Sequence, residues 1–404
     1  MKTAVMYGAG NIGRGFVGAL MSGAGYRVSF VDVDRELVAA LNRRGAYPLR
    51  VIRNEGHEDS LVAGIQAIDG RDNQAVADAI AQADLMATAV GARVLPHIAP
   101  LIAQGLKQRF RSPAAPLNIL ICENLMDANK VLESLVKQHL TPDEARRFEK
   151  EVGLVEASIG RMVPIQTEEL RAGDPLRVCV EAYGFLPVDR DAFRGAVPDI
   201  PGLVPYSPFD FYIKRKLYLH NLGHAVCAYL GLYTGKTHIY EAMAEPRIEL
   251  MVRGAMQESA AALSSAYAVP FQDLAAHTED LLYRFNNRAL GDSTARVGAD
   301  IPRKLAREDR LVGAALLCLK QGISPVFIAL GAAAALHAHL ASQLSAPGAD
   351  AARQALFTLS SLGEDDRLFD WVLRFERLFA EGTSLEALYR AALEEKHRLA
   401  GPVV

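Results

Sequence analysis

Lys216-Leu-Tyr-Leu-His-Asn221-Leu-Gly-His224 places an amine, a carboxamide and an imidazole within nine residues. These groups suit proton abstraction from an alcohol: the amine takes the proton, the carboxamide holds the oxyanion and the imidazole positions a neighbouring hydroxyl. The stretch reads as the start of a long helix. At about 3.6 residues per turn, Lys216 and Asn221 stand about 140° apart and Asn221 and His224 about 60° apart, a loose group on one side. A solvated lysine, a capping asparagine and a satisfied histidine would leave the same trace, and on residue type alone that blander account is the commoner one. The rest of the chain shifts the balance.

The N-terminal residues supply the elements of a dinucleotide site. Thr3–Tyr7 is a short apolar run of the kind that forms a buried parallel strand. Gly8-Ala9-Gly10-Asn11-Ile12-Gly13 follows, opening a helical pattern (Phe16, Val17, Leu20, Met21), and a second strand, Arg27–Val31, ends at Asp32. A glycine-rich loop between strand and helix, with an acid about 20 residues on, predicts pyrophosphate binding. Gly8 permits the tight turn, Gly10 lets the backbone approach the phosphates, and Gly13 allows close helix–strand packing. The Asn11–Ile12 backbone lies where a helix N-terminus meets the anion. Asp32 is expected to accept from the adenosine ribose hydroxyls and to repel a 2′-phosphate, so NAD is expected over NADP; a plain turn carboxylate beside Asp34 is the alternative.

Further βα units follow. Asp84–Gly91 reads as a strand whose end, with Thr88 and Val90, faces the cofactor, since ligands bind beyond the carboxyl ends of strands. Leu117–Cys122 runs into Glu123-Asn124. Asn124 is a candidate donor to an oxyanion near the nicotinamide and, equally, a candidate cap for a helix beginning near Asp127. Leu154–Ser158 and Leu176–Gly184 read as an extension of the same sheet, and the proline cluster Pro198–Pro205 as a boundary. From about Pro208 the pattern is helical, with segments at Ala242–Ser265, Phe271–Phe285, Arg310–Leu319, Pro325–Leu344, Ala351–Leu362 and Arg367–Phe379. The expected fold is an α/β Rossmann-type domain over residues 1–200 followed by a mostly α-helical domain over 201–404.

The 404 residues, 23% charged with a formal net charge of −3, carry no basic excess for nucleic acid and no polybasic tract for a membrane surface. Cys122, Cys179, Cys227 and Cys318 are widely spaced, which argues against a structural zinc site or a disulfide framework and fits a reducing cytoplasm. The chain opens on a strand pattern rather than a signal peptide. Pro325–Ala341, the most apolar run, is short for a membrane span and suits a buried helix. No obligate protein partner is evident. The stretch from Gly291 to Arg310 is dense in charge; Arg and Lys there suit a phosphorylated or polyhydroxylated ligand, while the interspersed acids suit a salt-bridge network.

Taken together, the glycine loop continuing through Arg14-Gly-Phe16, the Cys122-Glu-Asn124 strand end, the Lys216/Asn221/His224 spacing and the later Arg296…Arg303-Lys304…Asp309-Arg310 string resemble the polyol-specific long-chain dehydrogenases nearly end to end. The resemblance implies a metal-independent, NAD-linked oxidation, and most closely the interconversion of mannitol 1-phosphate and fructose 6-phosphate. It implies that Lys216 is the general base, with a pKa depressed by burial and nearby positive charge. Asn221 and Asn124 would hold the alkoxide-like oxygen, His224 would position substrate or lysine, and Arg296 and Lys304 would contact substrate oxygens. Two positions depart from the family pattern. Gly160 stands before Arg161-Met-Val-Pro164 where an acid is common, and Arg288 follows Asn287 where proline is common; Arg288 would favour phosphate. A free polyol or a hexuronate is the alternative substrate, and a non-catalytic NAD-sensing protein the alternative class. A metal-dependent alcohol dehydrogenase lacks plausible cysteine ligands.

Overall fold

The computed structural model describes residues 1–125, 127–343, 348–363 and 365–400. β1 (Thr3–Tyr7) is buried on both faces: Ala4 and Met6 join an apolar cluster with Phe16 and Phe30, while Val5 and Tyr7 join another with Ile80, Ile102 and Ile119. That two-sided burial explains a continuous apolar run rather than an alternating one. β2 (Arg27–Asp32) pairs with β1 in parallel. A hairpin follows, β3 (Ala46–Arg53) and β4 (Gly56–Ala63), then β5 (Ile65–Asp69), β6 (Leu85–Thr88), β7 (Leu117–Ile121) and β8 (Val152–Glu156). The main sheet has the order β5-β2-β1-β6-β7-β8, with every pair parallel. The order reverses between β1 and β6, so the loops leaving those two strands flank the crevice where doubly wound sheets bind ligands.

Part of the expected sheet extension is realised differently. Leu154–Ser158 corresponds to β8 and does join the main sheet, but β9 (Val178–Glu181) pairs with β3, giving a separate three-stranded sheet β4-β3-β9. This second sheet backs the helix that leaves the glycine loop: a Cβ on Gly15 would lie 2.8 Å from Val180 Cγ1. β10 (Leu186–Asp189) and β11 (Leu203–Tyr206) pair in parallel, so the proline cluster belongs to this first unit, and the chain divides between Phe209 and Asp210.

The second unit is helical. Phe271–Phe285 is one helix, as its periodicity indicates, whereas Ala242–Ser265 is two, Ile239–Met243 and Pro246–Tyr267. Pro246 causes the break, because it lacks an N–H and forces Glu245 into extended backbone (φ −85°, ψ 113°). At the centre lies Val326–Gln343, whose expected last residue, Leu344, falls outside the described residues. Among the described residues it is the helix long and apolar enough to cross a membrane, and it is mostly buried within its own unit. Small residues let neighbours approach it: a Cβ on Gly331 would lie 2.5 Å from Val226, and one on Gly254 the same distance from the Phe327 ring.

The N-terminus of this central helix is held by a buried carboxylate. Glu258 Oε1 and Oε2 accept from the Phe327 and Ile328 amides at 3.2 and 3.1 Å, and Lys396 Nζ donates to Oε1 at 3.0 Å. Removing the acceptor leaves two buried amides unpaired. Glu258→Ala is therefore expected to lower unfolding stability by about 3 kcal/mol, and Glu258→Gln, which keeps an acceptor, by less than half as much. Denaturant melts of the three proteins check this; an alanine variant as stable as wild type would refute it.

Candidate active site

In the first unit the glycine loop is shaped by contacts that only glycine tolerates. Gly8 has φ +101°, and a Cβ there would lie 2.5 Å from the Ala89 carbonyl oxygen; a Cβ on Gly13 would lie 1.9 Å from the Gly8 carbonyl oxygen. Beside Gly10 nothing comes within 4 Å, which leaves its backbone open to a ligand. Asn11 is exposed and Ile12 half-buried at the start of the helix. That helix opens with a π-turn, Gly13–Val17, closed by the Gly18 amide on the Gly13 carbonyl. Asp32 binds the loop itself: Oδ2 accepts from the Ala9 amide at 2.7 Å and Oδ1 from the Asp34 amide at 3.1 Å. A carboxylate has lone pairs beyond these two, so the ribose role stays open to it. Arg14, buried and not anticipated as a brace, donates from Nε to the Ala9 carbonyl (2.6 Å) and from Nη1 to the Leu176 carbonyl (2.7 Å).

Thr88 ends β6, fully buried, and its Oγ1 has no hydrogen-bond partner among the described residues. The Val90 and Gly91 amides that follow donate to Glu123, at 3.0 and 2.8 Å to its two oxygens. Glu123 is buried; the sequence marks it as part of the Cys122-Glu-Asn124 strand end without indicating this clamp. Asn124 is exposed just beyond β7, and the helix Ala128–Lys137 has Asp127, not Asn124, at its N-cap. The donors, the open approach at Gly10 and the acid at the end of β2 fit a dinucleotide. Gly8–Gly13 would hold its pyrophosphate, Asp32 its ribose, and the Thr88–Val90 segment its nicotinamide half.

In the second unit the helix carrying Lys216 is not uniformly α. Asp210–Arg215 is α-helical, Lys216–His220 is a π-turn and Asn221–Tyr233 is α-helical again. The Asn221 amide donates to the Lys216 carbonyl, five residues back. This corrects the α-helical spacing: a turn closed five residues back puts Lys216 and Asn221 in the relation that residues four apart hold in an α-helix, about 40° apart instead of about 140°. His224 follows within the next α-turn. Nearby, Ser259 Oγ donates to the Tyr218 carbonyl at 2.5 Å and Tyr218 Oη donates to the Glu308 carbonyl at 3.0 Å.

The His224 ring stacks on Phe285 (centroids 4.9 Å apart, planes 9° apart), with the His220 ring 6.1 Å away. Burial pushes the His220 pKa well below its ordinary value, with Arg284, His224, Lys216 and His277 adding to the effect. Burial also takes His277 down to about 3. Both rings are therefore neutral at ordinary pH. His224 Nε2 lies 3.4 Å from Asp292 Oδ2, and Asp292 also pairs with Arg296. Arg296 is thus brought to the histidine through a shared carboxylate that sequence reasoning passed over, although an acid four residues ahead of an arginine was a visible signal. Arg288 is exposed, with its guanidinium 5.6 Å from the Tyr240 ring centroid. Lys304 is buried, donating to the Val297 carbonyl at 2.5 Å and to the Ala299 carbonyl. Asp309 pairs with Arg303 and Arg310, so much of the charged stretch is an ion-pair network.

Two predictions follow from this geometry. Glu123→Ala, by releasing the Val90 and Gly91 amides, is expected to weaken NADH binding about 10- to 100-fold in a fluorescence titration, and an unchanged Kd would refute the clamp. Burial, aided by Arg310 and Arg303, pushes the Lys304 ammonium from 10.5 down to about 8. Between those values the unfolded chain binds more protons than the folded one, so this group adds stability as pH rises through the window. Relative to Lys304→Met, the wild type is expected to gain on the order of 1–3 kcal/mol between pH 8 and 10.5 in urea melts. Parallel profiles would mean an ordinary lysine.

Residues 2–202 match the mannitol dehydrogenase Rossmann domain and residues 209–372 the mannitol dehydrogenase C-terminal domain. The chain is 43% identical over 333 residues to a mannitol-1-phosphate 5-dehydrogenase of Brevibacillus brevis, covering 82% of this chain and 85% of that protein. Its fold is similar to that of Pseudomonas fluorescens mannitol 2-dehydrogenase, solved with NAD and D-mannitol (TM-score 0.77, 17% identity, 98% of this chain and 94% of that one). It is also similar to a D-sorbitol dehydrogenase (TM-score 0.76, 15% identity, 96% and 94%). The chain belongs to the mannitol dehydrogenase family and is an NAD-dependent oxidoreductase of that family.

Proposed function

We propose that the protein interconverts mannitol 1-phosphate and fructose 6-phosphate. The observation that supports this reading is the π-turn Lys216–His220, which brings the Lys216 and Asn221 positions to one face of the helix, in a chain that shares 43% identity with a mannitol-1-phosphate 5-dehydrogenase. In the alcohol-oxidising direction a hydride leaves the carbinol carbon and a proton leaves its hydroxyl. NAD, when bound, supplies the hydride acceptor. Lys216 Nζ takes the hydroxyl proton, and returns it when the ketose is reduced. The Asn221 carboxamide donates to the oxygen as its charge develops. His224 hydrogen-bonds a substrate hydroxyl, and the Arg296 guanidinium, its side chain 49% exposed, offers the donors left over from Asp292 to phosphate or distal hydroxyls. Arg288 and Lys304 add positive charge for the same anionic end. The substrate is a small sugar phosphate, and the four buried free cysteines suit a reducing cytoplasm.

The test is NADH oxidation with fructose 6-phosphate, fructose and a hexuronate, on wild type and Lys216→Ala. Turnover is expected only with the phosphorylated sugar, with kcat lowered about 10²- to 10⁴-fold in the variant. Turnover with fructose or the hexuronate would keep the base and discard the substrate. Tight NADH binding without turnover of any of them would indicate a sensor instead of an enzyme.

A further inference from the structure

The carboxyl ends of β2 and β5 carry more charge than a ribose site needs. The two strands run in parallel with Asp32 and Asp69 as register partners, and the Gly70 amide donates to the Asp32 carbonyl at 2.8 Å. Two exposed arginines stand beyond these ends, and both close on the half-buried Asp69. Arg71 grips it as a fork. Its amide and Nε donate to Oδ1 at 3.0 and 2.9 Å, and Nη2 donates to Oδ2 at 3.2 Å and to the Val33 carbonyl at 2.8 Å. Arg35, in the first turn of the helix Arg35–Arg44, donates from Nε to the same Oδ2 at 3.3 Å. The Arg71 side chain and amide, with Arg35 adding, hold the Asp69 carboxyl down at about 2, so it is ionised at any working pH. Asp34 and Asp72 cap the two helices that follow.

In doubly wound folds the acid at the end of the second strand takes the ribose 2′-hydroxyl, and an arginine nearby is what admits a 2′-phosphate. Arg35 and Arg71, standing alone, would favour NADP. We propose that Asp69 is a cofactor-specificity residue: by drawing Arg35 and Arg71 onto itself it withholds their guanidinium groups from a 2′-phosphate and keeps the site selective for NAD. The carboxylates of Asp32, Asp34, Asp69 and Asp72 then outnumber the two arginines, and a ligand with an added dianionic group is repelled where a hydroxyl is not. Ion pairs this exposed add little stability, so the pairing acts through the charge it presents to a ligand. The inference rests on Asp32 holding the ribose and not on the identity of the sugar substrate.

The experiment is a fluorescence titration with NADH and with NADPH, without sugar and at low ionic strength, where surface charges are least screened. It compares wild type, Asp69→Asn, and Asp69→Asn combined with Arg35→Gln and Arg71→Gln. Asparagine removes the charge yet keeps an acceptor for the Arg71 amide. The ratio of the NADPH to the NADH dissociation constant is expected to exceed about 10 in wild type and to fall about 10-fold in Asp69→Asn. Replacing both arginines as well is expected to restore the wild-type ratio or raise it. A wild type that binds the two cofactors alike overturns the proposal, even if a variant fails to fold. An unchanged ratio in Asp69→Asn overturns it too. So does a fall that persists without the arginines, because loss of one repelling carboxylate would then explain it.

Discussion

The second unit depends on one misplaced helical hydrogen bond, the Asn221 amide on the Lys216 carbonyl. An α-helix would close each turn four residues back, and inserting a fifth disturbs the carbonyl ladder while giving weaker internal packing. The chain tolerates it because the surroundings supply partners. Ser259, fully buried on Pro246–Tyr267, donates to the Tyr218 carbonyl inside the π-turn, and the Tyr218 hydroxyl is tied to Glu308. The gain is directional. An α-helix sets residues five apart on different sides and the π-turn brings them to one face, so an amine, a carboxamide and an imidazole share it without any loop to carry them. Sites built on helices hold geometry more tightly than sites on loops.

The cofactor unit uses the same device at the same kind of place. Its helix also begins with a π-turn, Gly13–Val17, immediately after the phosphate loop. Here the cause is crowding: Gly13 lies against the Gly8 carbonyl and Gly15 against Val178 and Val180 of the second sheet. Arg14 and Tyr47 then hold the turn, the arginine on the Ala9 carbonyl and the tyrosine hydroxyl on the Arg14 carbonyl at 2.6 Å. Wherever this chain departs from regular helix at its working residues, buried polar side chains satisfy the backbone groups set free.

The parts legible in the sequence were those with strong local signals. β1, β2 and the helix Phe271–Phe285 follow from apolar pattern, and the glycine loop from its strand–turn–helix setting. The hairpin β3–β4 left no such signal, because β4 is almost wholly exposed and its Gly-His-Glu-Asp-Ser stretch shows no alternation. The pairing of β9 with β3 is a contact between segments more than a hundred residues apart, which no local pattern encodes. The π-turn was invisible for a different reason: Lys-Leu-Tyr-Leu-His is good α-helical sequence, and the serine that takes up the Tyr218 carbonyl is remote in the chain. Glu123 and Asp292 carry no local signal of their contacts, because those lie in what they face.

Charge matching bears on how the proposed phosphorylated substrate would be recognised. Three of the loop's arginines already have acids: Arg296 has Asp292, Arg303 has Asp300 and Asp309, and Arg310 has Asp309, while Arg307 donates to the Ser361 carbonyl. Arg284 sits 3.3 Å from Asp280, and Lys304 points at backbone carbonyls. His220 and His277 stay neutral. A phosphate would therefore meet guanidinium groups that are paired but not exhausted, since a planar fork keeps N–H donors after one carboxylate has taken its share. Recognition then comes from the aim of those remaining donors more than from a net positive potential, which agrees with a chain whose overall charge is −3. It also makes the acids part of recognition: by taking one side of the Arg296 fork, Asp292 sets which of its donors a phosphate would meet.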